Sequence, residues 1–409
     1  MSSEWKTTTI GEQVTLQRGI DITKAQQRPG TVPVVSSGGI SSYHDTAYAK
    51  APGVVLGRKG TIGTVFYITN DYWPHDTSLW VRDFHGNDPR FVYYFFKSIA
   101  SDLAALDVGT ANPALNRNHV HPIVIQWPEI SEQRAIARIL GLLDDKIGLN
   151  RGMNHTLEEM ARALFKSWFV DFDPITAKAE GRVPFGMNAE TASLFPAEFE
   201  DTEEGVIPKG WKVGTLHQIV EVNSDSIRSD YPHKEIKYID ISSVEVGHLV
   251  GVSKLEIQNA PSRARRLVKH GDTIWSCVRP NRKSYLFIQH PAENTVVSTG
   301  FAVLSPKISS HSFVYLWVTT DDFVDYLTAN AEGSAYPAVR PESFERAPVV
   351  IPPDDVLIAF EKIVKLFFEL RYQNAAQMRN LVSIRDGLLP KLLSGELRVK
   401  QAEKVIENM

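Results

Sequence analysis

Two patterns of hydrophobic and polar positions occur along this chain, and each of them occurs twice. Short apolar runs interrupted by Gly, Pro, Asn and Asp predict strands, whereas long stretches with apolar residues at alternating steps of four and three predict helices. The strand-rich region 1–128 contains one helical stretch, Arg90–Leu106, and the strand-rich region 211–353 contains another, around Ser312–Ala329. The sequence therefore predicts an α+β protein with two globular domains, each followed by a long helix.

The individual strands are predicted from apolar runs of four or five residues. In the first region they are Val32–Val35, Gly53–Leu56, Thr64–Ile68, Ser78–Val81 and Pro122–Ile125. In the second region they lie near Tyr238–Ile241, Thr273–Cys277, Ser284–Ile288, Gly300–Leu304 and Ala347–Ile351. The order of strands and helix is the same in both regions, which favours one scaffold used twice.

A local motif shows that the chain is duplicated. The segment GTANPAL at positions 109–115 returns as GSAYPAV at positions 333–339, and Trp5 is echoed by Trp211. The second copy, from Trp211 to Pro353, is longer than the first, which runs from Trp5 to Pro128. A duplicated unit predicts a pseudo-twofold molecule that recognises a ligand with two related halves.

The two long helices carry heptad seams and are predicted to pair as an antiparallel coiled coil. One seam comprises Ile136, Leu140, Leu143, Ile147, Asn150, Asn154, Leu157, Ala161, Leu164 and Trp168. The other comprises Phe360, Val364, Phe367, Arg371, Asn374, Met378, Leu381, Arg385, Leu388 and Leu392. A helix of about 38 residues is roughly 57 Å long at about 1.5 Å per residue. The alternative is two amphipathic helices, each packed on its own domain.

Two polar seam residues favour the coiled coil over that alternative. Asn150 and Asn374 occupy the same seam position near the middle of their helices, and their separation along the chain (374 − 150) equals that between the two motif copies (333 − 109). In an antiparallel pair they would meet and hydrogen-bond, which fixes register and orientation at some cost in stability. Pro390 is predicted to kink or end the second helix near its last turn.

Composition adds few constraints. The chain has 409 residues, of which 43% are hydrophobic, as in a globular protein of two domains. The single cysteine, Cys277, excludes a disulfide framework and favours a reducing compartment, the cytoplasm. Neither a signal peptide nor an apolar run of membrane-spanning length is recognisable.

The connector 171–210 is predicted to be a solvated loop, because residues 180–204 carry seven acids against one base, Arg182.

Motifs for catalysis are missing from the sequence. The loop Gly57–Gly63 superficially resembles a phosphate loop but lacks GxxxxGK[ST]. Asn112 begins a segment that resembles the Asn-Pro-Pro-aromatic loop of adenine methyltransferases, yet the second proline and the aromatic residue are absent, and the second copy has Tyr336 at the position of Asn112. The twelve histidines show no metal-ligand spacing. We therefore expect a non-catalytic chain without a cofactor or metal of its own.

The distribution of basic residues points instead to DNA. A net charge of −4 argues against strong DNA binding by the chain alone, but residues 261–283 carry seven bases against one acid, Asp272. Arg and Lys pair with guanine edges or phosphates, and Asn pairs with adenine. Solvated loop charges are the alternative for each residue. The DNA-binding candidates are Ser36, Tyr43, Arg58, Lys59, Asn112 and Asn116 in the first copy, and Arg263, Arg265, Arg266, Arg279, Asn281, Arg282, Lys283 and Tyr336 in the second.

Several motifs resemble the specificity subunits of type I restriction–modification enzymes, and the resemblance extends over essentially the whole chain. They are PEISEQR (128–134), SWFVDFDP (167–174), KAEGR (178–182), GVIPKGW (205–211) and LLPKLLSGEL (388–397). Two features depart from the family pattern: no Gly-x-Ile-Pro-x-Gly segment precedes Trp5, and Pro353-Asp-Asp replaces the usual start of the second helix. The second departure leaves the first residue of that helix open.

The resemblance implies a domain order and a set of partners. The segments would be target-recognition domain 1 (1–128), conserved helix 1 (129–170), a linker (171–210), target-recognition domain 2 (211–353), conserved helix 2 (354–397) and a tail (398–409). Each domain would read one block of a bipartite double-stranded DNA site. Two methyltransferase subunits, which methylate adenine N6, would dock on the helices, and restriction/translocase subunits would join them. AdoMet, ATP and Mg²⁺ would belong to those partners.

Two other classes of function stay open at this stage. A catalytic adenine methyltransferase with fused recognition domains would need AdoMet binding by this chain. A scaffold that binds only proteins would leave the basic cluster at 261–283 without a role. If the family resemblance holds, the helices would space the two domains on major-groove segments about one turn, roughly 34 Å, apart.

Overall fold

The chain forms two compact units in a computed structural model that describes residues 5–106, 114–203, 205–333 and 336–407. The first unit comprises residues 1–151 and 375–409, and the second comprises residues 152–374. The boundary between the units falls near the middle of both long helices. Each unit therefore contains a strand-rich region and one half of each long helix.

The secondary-structure elements are numbered in chain order. The strands are β1 (Lys6–Thr9), β2 (Thr15–Arg18), β3 (Val32–Ser36), β4 (Gly39–His44), β5 (Gly53–Gly57), β6 (Val65–Ile68), β7 (Trp73–Pro74), β8 (Ser78–Asp83), β9 (Val124–Trp127), β10 (Phe199–Thr202), β11 (Gly205–Pro208), β12 (Lys212–Thr215), β13 (Val220–Val222), β14 (Glu235–Ile239), β15 (Val244–Glu245), β16 (His248–Leu249), β17 (Ser253–Glu256), β18 (Ala264–Leu267), β19 (Thr273–Ser276), β20 (Tyr285–Phe287), β21 (Thr295–Ser298), β22 (Phe301–Pro306) and β23 (Pro348–Ile351). The helices are α1 (Ile10–Gln13), α2 (Pro89–Ser98), α3 (Ala100–Ala105), α4 (Arg117–Val120), α5 (Ile130–Phe169), α6 (Asp173–Ala179), α7 (Ala189–Ser193), α8 (His311–Trp317), α9 (Asp321–Ala329), α10 (Pro341–Glu345), α11 (Asp354–Leu393) and α12 (Val399–Glu407).

The sheets confirm the duplication. A four-stranded antiparallel sheet has the order β2-β8-β5-β6 in the first unit and the equivalent order β13-β22-β19-β20 in the second. A second sheet contains one parallel pair in each unit, β3 with β7 and β14 with β21. The pair β1–β9 aligns Lys6 with Trp127, and β12–β23 aligns Lys212 with Ile351. The longer second copy contains additional strands β15, β16 and β18, and β18 lies in the basic segment 261–283.

The helix predicted inside each domain is present but divided in two. In the first unit α2 ends at Ser98 and α3 begins at Ala100, and in the second unit α8 ends at Trp317 and α9 begins at Asp321. Side-chain caps mark the start of two of these helices. Asp88 accepts hydrogen bonds from two backbone N–H groups at the start of α2. Thr320 accepts one from Phe323, so a second helix, α9, begins within the stretch predicted as one helix in the second unit.

Aromatic side chains form much of both cores. In the first unit the ring of Trp127 contacts Phe91 and Phe95 of α2, with ring centroids 5.1 and 4.9 Å apart. In the second unit Phe169 of α5 lies 4.9 Å from both Phe313 of α8 and Phe360 of α11. Truncation of one such buried ring to Ala costs about 3–5 kcal/mol. The long helices are thus part of the domain cores as well as of the helix pair.

The predicted seams of α5 and α11 are confirmed, since every one of their residues is buried or partly buried. In the first unit Asp144 pairs with Arg385 at 2.6 Å and Asn150 bonds Gln377. In the second unit Asn154 bonds Asn374, and Glu158 pairs with Arg371. Partner numbers fall along α11 as they rise along α5, so the helices run antiparallel inside each unit. The alternative of two unpaired amphipathic helices, each packed only on its own domain, is therefore wrong.

The central asparagines bond partners other than those expected. Asn150 donates to Oε1 of Gln377 at 2.7 Å, and Asn374 donates to Oδ1 of Asn154 at 3.0 Å. Both asparagines are buried, at 1% and 7% exposure. Each asparagine is thus paired about one helical turn away from the expected contact. Pro390 lies inside α11, which continues beyond it to Leu393.

The connector 171–210 is not the solvated loop that its charge predicts. It contains α6, α7 and the antiparallel pair β10–β11, and Ile175, Phe195 and Ile207 belong to the core of the second unit. The ring of Phe195 lies 5.0 Å from Trp168. Acidic residues occupy its surface, while irregularly spaced apolar residues anchor it. Helix α12 is similarly anchored in the first unit by the buried Ala402.

Candidate nucleic-acid interface

In the first unit three loops meet beside the sheet that contains β5. The backbone N–H groups of Arg58 and Lys59 both donate to the carbonyl of Thr77 at 3.0 Å. The hydroxyls of Thr61 and Thr64 donate to the carbonyl of Ser37, in the turn between β3 and β4. The loop Gly57–Gly63 is therefore held against its neighbours by hydrogen bonds. These contacts give the loop a structural role, which explains its sequence without a bound phosphate.

The candidate side chains of the first unit differ in what they can offer a ligand. Lys59 and Tyr43 are exposed. Arg58 is half-buried and donates to the carbonyl of Asp76 at 3.3 Å, and its burial, with the nearby charge of Arg18, lowers its pKa. Lys59 and Tyr43 are the accessible members of this group.

The remaining candidates of the first unit stabilise local structure. The Ser36 hydroxyl donates to the carbonyl of Gly39 at 3.0 Å and so stabilises the β3–β4 turn. Asn116 accepts a hydrogen bond from the N–H of Asn118 at 3.0 Å and caps α4. Asn112 lies outside the described residues. A side chain that already caps a helix or closes a turn has a structural reason to be present, which a sequence motif alone does not reveal.

The repeated motif is attached to the same place in both units. The N–H of Leu115, the last residue of the first motif, donates to the carbonyl of Arg58 at 2.9 Å. The N–H of Val339, the last residue of the second motif, donates to the carbonyl of Cys277 at 2.8 Å. Arg58 and Cys277 are the first residues after the equivalent strands β5 and β19. The last residue of each motif copy is therefore bonded to the residue that follows the equivalent strand in each unit.

In the second unit an arginine from the segment after β19 stacks on a tyrosine of the motif. The guanidinium carbon of Arg279 lies 4.5 Å from the centroid of the Tyr336 ring, and Tyr336 is 70% exposed. Asn281 and Arg282 are exposed on the short 3₁₀ turn Pro280–Arg282 that follows. Lys283 pairs instead with Asp321 at 2.7 Å, which raises its pKa. The structure thus brings four of the candidates of this copy together and directs the charge of a fifth toward a carboxylate.

The other basic residues of the second unit lie on or beside β18. Arg263 and Arg265 are exposed, and Nε of Arg265 donates to the carbonyl of Ser262 at 3.2 Å. Arg266 is half-buried, and its guanidinium donates to the carbonyl of Phe301. Burial lowers the pKa of Arg266. We therefore separate Arg266, which holds a neighbouring strand, from the two exposed arginines.

An apolar surface on the long helices was not predicted. In the first unit Leu142 and Leu149 are exposed on α5, and in the second unit Leu366 and Leu370 are exposed on α11. Leu142 and Leu366 are 61% and 67% exposed, and they are separated along the chain by the same offset as the two copies of the repeated motif. These equivalent leucines lie outside both heptad seams, so the seams did not identify them. The repeat offset between them was the signal in the sequence that could have identified this surface.

Among the described residues, one group of possible metal ligands lies together, formed by Asp21, His75 and Asp76. Asp76 already pairs with Arg18 at 2.8 Å, and Nδ1 of His75 is hydrogen-bonded to the Thr77 hydroxyl at 3.0 Å. These contacts are consistent with a structural role in the loop. None of the described helices combines the length and apolar character needed to cross a bilayer.

Comparisons with known proteins agree with this arrangement. A family model for the type I restriction modification DNA specificity domain matches residues 2–159. The chain is 28% identical over 371 residues to the MjaIX specificity subunit of Methanocaldococcus jannaschii, covering 85% of this chain and 78% of that protein. It is 26% identical over 349 residues to the HindI specificity subunit of Haemophilus influenzae, covering 74% of each. The crystal structure of a type I S subunit from M. genitalium has the same fold, with a TM-score of 0.64 at 16% identity over 96% of this chain and 97% of that one.

Proposed function

Because the chain belongs to the specificity subunits of type I restriction–modification systems, we propose that it is the sequence-reading, non-catalytic component of such a system. Each unit reads one block of a bipartite DNA site. The observation that carries this proposal is the equivalent attachment of the repeated motif, Leu115 to Arg58 and Val339 to Cys277. It presents one loop pair per unit, with different side chains on a common frame, as two independent base readers require.

The residues proposed to contact DNA are accessible or partly accessible side chains on these loops and on or beside strands β4 and β18. In the first unit they are Lys59 and Tyr43, with Arg58 beside them. In the second unit they are Arg263, Arg265, Arg279, Asn281, Arg282 and Tyr336. Basic side chains that neutralise phosphates supply affinity, while planar and amide side chains at base edges supply sequence preference. Lys283 and Arg266 are left out of this set, because Lys283 pairs with Asp321 and Arg266 donates to the carbonyl of Phe301.

Two methyltransferase subunits are proposed as the partners that supply chemistry. Exposed leucines at the repeat offset, Leu142 and Leu366, give each unit a similar apolar contact point on a long helix. Contiguous exposed apolar surface marks sites of protein association. Restriction/translocase subunits complete the system, and AdoMet, ATP and Mg²⁺ bind to the partners. The net charge of −4 is compatible with this role, because the partners contribute to holding the DNA.

Reconstitution with the methyltransferase subunits tests the proposal. The purified chain alone should transfer no methyl group from AdoMet, and the complex should methylate adenine at N6 within a site of two specific blocks separated by unspecified bases. Single-molecule sequencing of DNA treated with the complex locates the modified adenines. Methyl transfer by the chain alone would favour a fused adenine methyltransferase, and methylation within one continuous block would contradict reading by two units.

A further inference from the structure

Two carboxylates lie at equivalent positions of the long helices, each facing the strand-rich region of its own unit. Asp145 on α5 and Glu369 on α11 are separated by the same offset as the two motif copies (369 − 145 = 333 − 109). In the first unit Asp145 pairs with Arg90 of α2, and in the second unit Glu369 pairs with His290, in the loop between β20 and β21. The two copies therefore share the acid and differ in the group that binds it.

In the first unit the acid is bound by a group that stays charged at every physiological pH. The Arg90 guanidinium donates to both oxygens of Asp145, at 3.1 and 2.5 Å, and to the carbonyl of Gly141 at 3.1 Å. A Cβ at residue 141 would lie 2.6 Å from the guanidinium carbon, so glycine leaves Arg90 room against α5. Because glycine is unfavourable inside a helix, this contact gives Gly141 a reason to be there.

In the second unit the equivalent acid meets a cluster of histidines. Nε2 of His290 lies 3.1 Å from both oxygens of Glu369, and the His290 ring lies 5.0 Å from that of Tyr372 on α11. The rings of His270 and His290 are 4.5 Å apart, and Nδ1 of His270 accepts the backbone N–H of His290 at 3.3 Å. The position of His290 thus depends on a neutral His270, because a protonated imidazole has no acceptor.

Acid should disturb this cluster. A proton on His270 would place a positive charge beside His290 and 6.1 Å from the ring of His311 on α8. Lys365 of α11 is a further positive charge near His270, and Glu369 is the negative charge that opposes them. Desolvation, together with the charges of His290 and His311, lowers the pKa of His270 below the ordinary 6.5. The folded state thus binds fewer protons than the unfolded chain around this pH, so the contribution to stability is present above pH 6.5 and is lost as pH falls through the lowered pKa.

Both contacts adjoin equivalent strands that follow the loops proposed to contact DNA. In the first unit the guanidinium carbon of Arg90 lies 6.0 Å from the ring centroid of Tyr67 on β6, the strand that follows the loop Gly57–Gly63. In the second unit His290 follows β20, and β20 follows the turn Pro280–Arg282. β6 and β20 occupy the same edge of their four-stranded sheets. One short strand therefore connects each contact to a loop proposed to contact DNA.

We propose that Asp145 and Glu369 are positioning residues, which hold these loops in place for base reading, and that acid weakens the contact in the second unit only. The inference rests on the proposed function, in which each unit reads one block. The competing explanation is a pair of surface contacts without such a role, because isolated exposed ion pairs contribute little to stability. Only positioning makes the discrimination of one block, and not of the other, depend on each acid.

The test uses the full chain assembled with the methyltransferase subunits and DNA with one block mismatched at a time. The discrimination ratio of a block is the Kd of mismatched DNA divided by that of matched DNA, so a general effect of pH on DNA binding cancels. From pH 7.5 to pH 5.5 the ratio of the second block should fall roughly two- to fivefold, and that of the first block should stay constant. A constant second ratio, or an equal fall in both ratios, would overturn the proposal.

Replacing each acid assigns the effect. Glu369→Ala should lower the ratio of the second block only, and Asp145→Ala that of the first block only, each roughly two- to fivefold at pH 7.5. Glu159→Ala is the matched control: Glu159 pairs with His155 at 3.2 Å within α5, where both side chains are largely exposed, and its loss should change neither ratio. Equal effects of Glu369→Ala and Glu159→Ala would show that the contact has no positioning role.

Two further variants test the partners of the acids. Gly141→Ala favours the helix but removes the room that Arg90 needs, so it should lower the first ratio as Asp145→Ala does. His270→Asn keeps an acceptor near the position of Nδ1 and cannot be protonated, so the second ratio should no longer depend on pH. A pH effect that persists in His270→Asn would overturn the role of the histidines. Each such failure leaves two separately measurable ratios and the two-block proposal intact, whereas recognition of one continuous block would contradict the proposed function itself.

Discussion

Asn374 donates a hydrogen bond to Oδ1 of Asn154 at 3.0 Å, where α11 faces α5 inside the second unit. Asn154 in turn donates to the backbone carbonyl of Arg371 at 3.3 Å. Both asparagines lie on heptad seams that are otherwise largely apolar. A polar pair in such a seam is satisfied only in one register, so it selects the antiparallel alignment at the expense of some stability.

Single replacement of Asn374 by Leu should destabilise the chain. The change leaves Oδ1 of Asn154 without its donor in a buried seam, which costs about 1–3 kcal/mol of the free energy of unfolding. Asn154→Leu combined with Asn374→Leu should recover most of that loss, because two apolar residues of similar shape then face each other. Urea denaturation of the four chains gives the coupling. Gln373→Leu, on the exposed side of α11, is the control, and purely additive effects would contradict the pairing.

The buried carboxyl of Asp272 makes a pH-dependent contribution with an unusual sign. Burial raises its pKa above the ordinary value, although the N–H of Lys269 donates to it at 2.8 Å. An acid whose pKa is higher in the folded state binds more protons there, so stability falls as pH rises above its ordinary range. Asp272→Asn should therefore unfold with a larger free energy than the original chain at pH 7, with the difference shrinking toward pH 4.

Asp240 provides the opposite case in the same unit. Burial opposes ionisation there, but hydrogen bonds from Ser243 and Ser242 outweigh it and lower the pKa. Its contribution is present above the ordinary pKa of 3.8 and is lost as pH falls below that value through the lowered pKa, so Asp240→Asn should destabilise at pH 7 and progressively less at pH values below 3.8. Denaturation curves of both variants across this range decide the matter, and a common sign for the two would contradict the assignment.

Contact with the methyltransferase subunits should depend on the exposed leucines. Leu142→Glu and Leu366→Glu each place a charge in one apolar contact point and should weaken binding of one partner copy by at least about tenfold. Native mass spectrometry should show two partner copies on the original chain, one on either single variant and none on the double variant. Val183→Glu changes an exposed valine of the connector and serves as control. Two copies retained on the double variant would place the docking surface elsewhere.

Lys59 should act on affinity and leave base preference alone. It is an exposed ammonium beside the β3–β4 turn, and none of the aromatic rings in the described part of the chain stacks on it. Lys59→Ala should weaken binding to all sequences alike and reduce the salt slope by about 1. Fluorescence anisotropy at several salt concentrations, with matched and mismatched first blocks, measures both quantities. A change confined to the matched block would make Lys59 a base reader.

Periodicity explains which features the sequence could predict. The heptad seams and the repeated motif specified the helix pair and the duplication, because both are regular patterns along the chain. Periodicity identifies which residues of each helix form the seam, but it does not say which residue of one helix faces which residue of the other. The observed partners of Asn150 and Asn374 therefore lie about one helical turn from the predicted ones. The connector was misjudged because Ile175, Phe195 and Ile207 are irregularly spaced among acidic residues.

The candidate DNA contacts were predictable as a group but not one by one. Their composition and their position after β5 and β19 indicated loops that the structure holds in equivalent places. The individual roles depend on partners distant in sequence, such as Phe301 for Arg266 and Asp321 for Lys283. No local pattern encodes these pairings. The stack of Arg279 on Tyr336 joins the basic cluster at 261–283 to the second copy of the repeated motif, and the sequence had marked both segments.

Exchange of residues 211–353 for the corresponding region of a related subunit tests the central claim most directly. The hybrid would be assembled with the methyltransferase subunits, and the methylated adenines in treated DNA would be mapped by single-molecule sequencing. If each unit reads its own block, the second block should change to that of the donor while the first block stays the same. A simultaneous change in both blocks, or no change in either, would contradict independent reading by the two units.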